Sequence, residues 1–335
     1  MKPVFFFFFF GLFSLIASAQ QKPVFTQYIF NNYLINPAIS GIENYVDFKA
    51  GHRNQWTGLE GAPVTNYFSI HAPFGNGFLS GDATSFGGQD DNPMSRSFTR
   101  NYMAAEPHHG LGIYGLSDKT GPINRLDLNA TYAYHLGLSN KLNLAVGVAV
   151  GVSQTSLNAE KVTLAEKTDP AVAASQNEKI RPDLSLGVWV YGPTYFFGLS
   201  AQQLVRQTIF ASDGLNSSSQ TVPHFYFTTG FKIIAAESIG IIPSLMVRKV
   251  SQSPTTVDVN IKTAFRDKLW IGASYRSKDA FCALAGFNIS QLLNVGYSYD
   301  FTTSNLGDVS TGTHEIVLGI LLNNRYRVTC PQRSW

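Results

Sequence analysis

The sequence predicts an all-β protein, a transmembrane antiparallel up-and-down β-barrel of about 14 strands. Apolar and polar residues alternate in run after run, which is the pattern of strands with one apolar and one polar face. Most runs are about 8–13 residues long, closer to the roughly 9–11 of a membrane-spanning strand than to the roughly 5–6 of a soluble one. Only 14% of the residues are charged, against about 25% in soluble proteins, so much of the surface is expected to lie out of water.

The first 19 residues have the layout of a secretory signal peptide. Lys2 precedes an unbroken apolar run that ends in Ala17-Ser18-Ala19, a small-residue cleavage site. A transmembrane anchor is the alternative, but the run is short for a span and no basic cluster follows it. We expect cleavage after Ala19 and export, with residues 20–335 forming a single barrel domain.

The strands follow one another along the exported chain with almost no helical periodicity between them. In residues 141–153, leucines and valines at every second position share one face, and small or polar residues share the other. The best helical candidate, residues 160–179, is interrupted by Pro170 and is expected to be a loop. The predicted strands are residues 46–53, 64–73, 109–118, 126–137, 141–153, 182–191, 194–201, 223–234, 238–249, 254–265, 268–277, 280–290, 292–303 and 313–322.

The connections between these strands predict which end of the barrel faces the periplasm. Very short turns are expected at one end, and longer links at the other, as in outer-membrane barrels with short periplasmic turns and long outer loops. The short turns are at 138–140, 192–193, 235–237, 266–267 and 291, and the long links are at 154–181, 202–222 and 304–312. The exception is the insert near 75–107, a long polar link that falls on the periplasmic side.

The two cysteines, Cys282 and Cys330, are predicted to be free thiols. Cys282 belongs near the outer end of its strand, and Cys330 follows the last strand on the periplasmic side. A bilayer would separate them, which is far more than a disulfide spans.

Aromatic residues near strand ends favour a membrane barrel over a soluble β-sandwich such as a lectin. A sandwich explains the alternation equally well, but it does not explain aromatic residues at both ends of long strands. Such residues suit the two membrane interfaces. The residues assigned to these girdles are Tyr191, Tyr195, Phe196, Phe197, Trp270, Tyr275 and Phe281.

The sequence offers no catalytic, cofactor or metal motif, so we expect no enzyme and no cofactor. GLGIYG at 110–115 lies within a strand pattern and not between a strand and a helix, so it is not a dinucleotide site. His108 and His109 are adjacent and face opposite ways in a strand. The net charge of +3 does not favour nucleic acid. Asp127, His135 and Asp300 are expected to line the lumen.

The turn HRNQWTGLEGAP at residues 52–63 is the most specific stretch of the chain. Arg53 and Gln55 are expected to face inward, Trp56 to lie at the outer interface, and Gly61 and Pro63 to set a rigid bend. The sequence leaves open whether this turn only closes the barrel mouth and holds the strand register, or contacts a partner.

Asn36 and Pro37 precede the first strand and raise a similar choice. They are expected to form a plug or a cap on the barrel floor, although Asn-Pro is also a turn signal that needs no partner.

Residues 27–74 resemble the start of the PorP/SprF family, outer-membrane proteins of the type IX secretion system of Bacteroidota. The matching pieces are Asn36-Pro37-Ala38 with Gly41, Arg53-Asn54-Gln55-Trp56 and Gly61-Ala62-Pro63. Residues 112–136 are similar to the family's next two strands, and His314-Glu315-Ile316 and Cys330-Pro331 also resemble it. The insert near 75–107 departs from the family pattern.

The resemblance implies an integral protein of the Gram-negative outer membrane that anchors or helps export a partner cell-surface protein in secretion or gliding motility. Implied partners are a large adhesin or its C-terminal domain, ring or lipoprotein components of the secretion system, and outer-membrane lipid. The alternative function is an outer-membrane solute transporter or porin, for which the small residues Gly147, Ala149 and Gly151 on the lumen face leave room. They equally leave room for a plug or an inserted partner segment.

Overall fold

The computed structural model describes residues 22–75, 95–158, 179–206, 208–210, 219–251, 253–266, 268–290 and 292–322. The predicted signal peptide and Cys330 lie outside these ranges. Cys282 is a buried free cysteine, as predicted. No helix in the described part of the chain is long and apolar enough to cross a membrane.

The described chain consists mainly of antiparallel strands. Their bounds are β1 Val46–Asn54, β2 Val64–Phe74, β3 His108–Thr120, β4 Ile123–Ser139, β5 Leu142–Leu157, β6 Lys179–Tyr191, β7 Tyr195–Gln202, β8 Thr208–Phe210, β9 Ser219–Gln220, β10 His224–Phe231, β11 Ile233–Ala236, β12 Ile239–Val250, β13 Thr256–Phe265, β14 Leu269–Arg276, β15 Ala280–Asn288, β16 Leu293–Thr302 and β17 Thr313–Leu322. A short helix, α1, spans Arg96–Asn101.

The strands form a closed barrel. Each wall strand pairs with its neighbours in the chain, β1 pairs with β17, and β10 pairs with both β7 and β12. β10 and β11 are two parts of one wall strand, separated by Lys232, and β8 and β9 form a separate small hairpin. The wall therefore has 14 strands in up-and-down order, and the predicted fold class is confirmed.

All 14 predicted strands are present, with ends that differ by a few residues. The largest differences are in β4, which begins earlier and ends later than the predicted 126–137, and in β5, which ends later than the predicted 141–153. Their pairing continues from Leu126↔Gln154 to Ile123↔Leu157. Backbone hydrogen bonds hold these extensions together where the side-chain pattern no longer requires them.

The alternation separates a lipid-facing side from a lumen-facing side. On β5, Val146 and Val150 are 52% and 59% exposed, while Ala145 and Ala149 are fully buried. Because lipid takes the place of water around a barrel, an exposed apolar band of this kind is the expected outer surface. The small residues of the same strand leave space inside.

The two ends of the barrel differ as predicted. The turn end carries the short connections 140–141, 192–194, 237–238, 266–268 and 289–292, together with the long connection 75–107. The loop end carries the connections 55–63, 121–122, 158–178, 203–223, 251–255, 277–279 and 303–312. By the rule for outer-membrane barrels, the loop end is expected to face outward.

Three of the predicted girdle residues do not face the membrane. Tyr191, Phe196 and Trp270 are 1%, 3% and 7% exposed and belong to the interior cluster, so assigning them to the interfaces was wrong. Their positions on the two-residue repeat place them on the lumen side, where they pack against the interior. The other four residues face outward, as predicted: Tyr195, Phe197, Tyr275 and Phe281.

The described part of the insert, residues 95–107, packs against the turn end. Tyr102 is 1% exposed, and its hydroxyl accepts a hydrogen bond from the Asn143 side-chain amide at 2.6 Å. The Asn143 side-chain oxygen accepts from the Ala105 amide at 2.8 Å, and the Ala104 amide donates to the Asn140 carbonyl. The insert is therefore fastened to the turn between β4 and β5.

Candidate functional site

The barrel lumen is occupied by the chain's own N-terminal segment, residues 22–45, which we call the plug. Near the loop end, the Lys22 ammonium donates to Gln202 at 3.0 Å and lies 3.9 Å from Asp183. At the turn end, Tyr45 leads directly into β1. Between these points the plug makes three short 3₁₀ turns, at Gln27–Ile29, Asn32–Leu34 and Pro37–Ile39. Of the interpretations left open for Asn36 and Pro37, the lumen position supports the plug.

The Asn-Pro pair sets the third turn of the plug. The Asn36 side-chain oxygen accepts from the Ala38 amide at 3.0 Å, and Pro37 occupies the first position of the turn. Pro37 suits that position because its fixed φ is already helical and its missing N–H is not needed there. The Asn36 side-chain NH₂ also donates to the carbonyls of Val188 and Leu199, at 3.0 and 3.2 Å. One side chain thus caps the turn and fastens it to β6 and β7.

Glycines in the wall make room for the plug. A Cβ atom added at Gly147 would lie 2.5 Å from the Ala38 Cα, and one at Gly110 would lie 1.8 Å from the Ser40 carbonyl oxygen. At Gly187 it would meet the Asn36 side-chain oxygen at 2.0 Å. These contacts explain why glycines occur within the strands at these positions, including Gly110 of GLGIYG. The main chain of the plug lies directly against the wall there.

The wall binds the plug through the plug's main chain as well as its side chains. Glu315 accepts from the amides of Thr26 and Gln27 at 2.8 and 3.3 Å, and His71 accepts from the Gly41 amide at 3.2 Å. Further hydrogen bonds reach plug carbonyl groups from the wall residues Gln202, Ser200, His135 and His108. Together these contacts come from five wall strands: β2, β3, β4, β7 and β17.

Thr26 is the centre of the densest set of charged contacts in the described structure. Its hydroxyl donates to Asp300 at 2.7 Å and accepts from Arg53 and Arg276, at 2.9 and 3.2 Å. We call this set the Thr26 cluster. Its members are Thr26, Arg53, Arg276, Asp258, Asp300 and Glu315.

The charges of the Thr26 cluster are buried and paired. The two terminal nitrogens of Arg53 each lie 2.9 Å from a carboxylate, one of Asp300 and one of Glu315. Arg276 pairs with Asp258 at 3.2 Å and lies 3.6 Å from Asp300. All five charged residues are at most 2% exposed. Because a buried charge is costly unless it is paired, these contacts stabilise one position of the plug at the loop half of the lumen.

The turn at residues 52–63, which we call the opening turn, connects neighbouring loops to one another. The Thr57 amide donates to the Gly312 carbonyl, and the Thr311 amide donates back to the Thr57 carbonyl, both at 2.8 Å. On its other side, the Gly121 amide donates to the Gly61 carbonyl at 2.8 Å. The turn thus bridges the connection 303–312 and the tight turn at 121–122.

The residues singled out from the sequence fall in three places and not in one. Asn36 and Pro37 lie in the plug, and Arg53 lies in the Thr26 cluster. The remaining residues belong to the opening turn, where the Gln55 amide donates to the Pro63 carbonyl and the Trp56 amide to the Thr313 hydroxyl. Trp56, Gly58 and Gly61 have φ values of 51°, 94° and 73°, so the turn has a positive φ at three positions.

Thr26, Arg276 and Glu315 were missed as site residues. Arg276 and Glu315 are charged residues at lumen-facing positions of alternating strands, and Glu315 also belongs to the family-like motif His314-Glu315-Ile316, but neither signal indicated a contact with the plug. Asp127, His135 and Asp300 do face the lumen, as predicted, at 3%, 1% and 2% exposure. His108 is also buried, whereas the adjacent His109 faces outward and contacts Tyr132.

Little free space is left beside the plug in the described structure. A cavity of about 50 Å³ lies between the plug and the wall, which is room for a few water molecules. Its lining includes Asn31, Glu43, Asp47, Lys49, His71 and Asn294. No group of three or more His, Cys, Asp or Glu that could hold a metal ion occurs among the described residues.

A closed antiparallel barrel with an apolar outer band and an internal plug defines the class of integral outer-membrane β-barrel proteins. A family model for the type IX secretion system membrane protein PorP/SprF matches residues 17–320. The chain belongs to the PorP/SprF family, which confirms the resemblance seen in its motifs. The family is one of secretion membrane proteins and not of enzymes.

Solved outer-membrane proteins are similar to the chain in fold. The toluene transporter TbuX of Ralstonia pickettii has a TM-score of 0.48 at 11% identity, over 88% of this chain and 93% of its own. Omp33 of Acinetobacter baumannii has a TM-score of 0.45 at 8% identity, over 83% and 99%. The Pseudomonas putida toluene transporter TodX has a TM-score of 0.42 at 10% identity, over 88% and 92%. Identities this small carry no information about substrate. No curated protein sequence matches the chain.

Proposed function

We propose that this barrel anchors, or helps to export, a partner cell-surface protein by the type IX route and has no enzymatic activity. The observation that carries the proposal is the plugged lumen: charged, hydrogen-bonded contacts hold residues 22–45 inside the barrel. A general porin needs a lumen that solutes can cross. An anchoring protein needs a rigid barrel with specific surfaces at its ends, and both features are present here.

The opening turn is the surface at the loop end that best suits a partner. It is held in one shape by its bonds to two neighbouring loops, so a partner would bind it without first ordering it. Exposed Glu60 and half-exposed Trp56 supply a charge and an aromatic ring, and aromatic residues are enriched in interfaces. The partner expected here is a large adhesin or its C-terminal domain.

The described part of the insert, residues 95–107, is the corresponding surface at the turn end. It is fastened to the wall through Asn143 and adds residues beyond the strand ends. Ring or lipoprotein components of the secretion system are the expected partners on that side.

Isolation of the complex from native membranes tests the proposal. The chain is tagged after Trp335, extracted in mild detergent and purified together with whatever remains bound to it. We expect a large surface protein or ring components in a fixed ratio to the barrel, with less surface protein bound to a Trp56→Ala chain. A matched Lys278→Ala change in the loop-end turn 277–279 is expected to leave recovery unchanged.

A barrel that purifies without a partner contradicts the proposal. In that case, ion conductance of the purified protein in a planar bilayer would support the solute transporter. Absence of both a partner and conductance would contradict both functions.

A further inference from the structure

The contacts that hold the plug are of a kind that would suit other polypeptides. Glu315 and His71 bind plug amides, while Ser200, Gln202, His135 and His108 reach plug carbonyls. Peptide groups are the same in every sequence, so these wall residues recognise a chain more than they recognise particular side chains. The distribution of such contacts along the plug resembles that of a peptide-binding groove.

The wall is shaped for a main chain and small side chains. Gly110 and Gly147 allow Ser40, Pro37 and Ala38 to lie directly against the strands. Thr26 and Asn36 make the most side-chain hydrogen bonds to the wall, in the Thr26 cluster and between β6 and β7. Five other plug side chains make one each: Lys22, Tyr28, Asn31, Tyr33 and Ser40. A segment with a hydroxyl and an amide at this spacing would satisfy the same groups.

The fit of the plug is incomplete. Both polar atoms of the Gln27 and Asn129 side-chain amides, and the hydroxyl of Ser298, are buried without a hydrogen-bonding partner in the described protein. A buried polar group without a protein partner lowers stability or is bonded to water. The plug is thus held less firmly than a continuous core would be, which favours exchange.

The plug is also connected in a way that allows it to leave. It contributes no strand to the wall, so its withdrawal breaks no strand pairing. Its join to the wall, between Tyr45 and Val46, lies at the turn end. A plug joined to the wall in this way would be able to withdraw through the turn end.

We propose that the lumen is a binding site for a polypeptide segment, which the plug occupies as an exchangeable ligand in place of a segment of the partner protein. The identity of the exchanging chain rests on the proposed function, whereas the polypeptide site itself does not. The ligand class is a polypeptide with small residues and hydrogen-bonding side chains spaced like Thr26 and Asn36.

A fluorescently labelled synthetic peptide of residues 22–45 tests this site on the full-length barrel. Because a tethered segment has a high effective concentration, the resident plug is first weakened by Thr26→Val and Asn36→Ala. We expect the labelled peptide, which keeps both native residues, to bind this chain saturably at one per barrel by fluorescence anisotropy. A peptide with the same two changes is expected to bind about tenfold more weakly, because it lacks buried hydrogen bonds.

A lock on the plug provides the matched control. The Ser40 and Thr131 hydroxyl oxygens are 2.6 Å apart, so cysteines at both positions are within reach of a disulfide. Added to the weakened chain, the oxidised pair is expected to abolish peptide binding, and reduction to restore it. Equal peptide binding by the oxidised and the reduced chain would show that the peptide binds outside the lumen and would overturn the proposal.

The folded state and the proposed function are read out separately. Heat-modifiable migration on gels shows whether each variant forms a barrel. The inference is also overturned if the chain with the weakened plug and the reduced cysteine pair folds but binds no peptide. Co-purification from native membranes tests the anchoring function alone. Peptide exchange without a co-purified partner would leave the lumen site standing and remove its proposed physiological ligand.

Discussion

At the scale of single residues, Arg53 links the plug to two strands of the wall. It was predicted from the sequence as an inward-facing residue, and it is buried between Asp300 and Glu315. Its contacts could not be predicted, because both carboxylates lie about 250 residues away in the chain. Spacing along a strand shows which face a residue occupies, whereas its partner depends on how the barrel closes.

Arg53→Gln is expected to destabilise the folded barrel by about 3 kcal/mol, because buried Glu315 loses its counter-charge and Asp300 keeps only the more distant Arg276. Denaturant unfolding in detergent, followed by tryptophan fluorescence, measures the change. Arg53→Lys keeps the charge but loses the two-pronged geometry, so a smaller loss is expected. Equal stability of the Gln variant and the native chain would show that the cluster does not hold the plug.

Gly147→Val is expected to expel the plug from its seat without unfolding the wall. The added side chain begins 2.5 Å from the Ala38 Cα, and backbone cannot move aside as a flexible side chain can. For each 1.4 kcal/mol lost from the free energy that holds the plug in the lumen, limited proteolysis within residues 22–45 should become about tenfold faster.

Gly272→Val is the control for Gly147→Val. Gly272 also lies on the lumen side, but the three atoms nearest to an added Cβ there belong to Ile261 and Leu284 of the wall. If both changes accelerate cleavage equally, the effect comes from the wall and not from the plug contact.

At the scale of elements, the strands were predictable and the plug was predicted only as one of several choices. Alternation over 14 runs reports a local property, namely which face of each residue meets lipid. Residues 22–45 have no such period, because 3₁₀ turns in a polar tunnel bury every face. The error at Tyr191, Phe196 and Trp270 arose because aromatic residues near strand ends can pack in the interior as well as face the membrane.

The opening turn should tolerate changes of charge and resist changes of backbone. Gly61→Ala places a side chain at a φ of 73° and 3.3 Å from the Gly121 Cα, so a loss of about 1–2 kcal/mol is expected. Glu60→Ala, at an exposed position of the same turn, should change stability by less than about 0.5 kcal/mol. Unfolding midpoints in detergent give both values, and equal midpoints would show that the turn does not fix the register.

The lipid-facing band should reject charge most strongly at mid-strand. Val150 is 59% exposed at the middle of β5, and Val150→Arg is expected to cost about 2–4 kcal/mol in a bilayer. Leu138, which is 51% exposed near the turn end, should accept arginine at about 0–1 kcal/mol. Refolding into lipid vesicles across a denaturant series measures both, and the reverse order would contradict this position of the band.

At the scale of the whole molecule, the orientation of the barrel can be tested with two matched cysteines. Lys278 is in a loop-end turn and Arg266 is in a turn-end turn, both exposed and both at positive φ. In a chain with Cys330→Ser, a membrane-impermeant maleimide on intact cells should label Lys278→Cys and leave Arg266→Cys unlabelled. Cys282 is buried and adds little background. Labelling of Arg266→Cys alone would show that the turn end faces outward, opposite to the expected orientation.

The fold class and the family could be predicted from the sequence, because both depend on features that are visible along the chain. These features are the alternation in the strands and short motifs such as those around Arg53 and Asn36. The state of the lumen was not predictable, since small residues at Gly147 and Gly151 suit a pore and a plug equally. Only the placement of residues 22–45 distinguishes them.

The contact between Thr26 and Glu315 has a consequence for biogenesis. Thr26 of the plug bonds to Glu315 in the last strand of the wall, which is 289 positions later in the chain. β17 also closes the ring against β1. The plug therefore completes its native contacts only after the last strand has been synthesised and delivered. Until then, residues 22–45 are exposed to whatever chaperones escort the unassembled chain, and seating of the plug can report that assembly is complete.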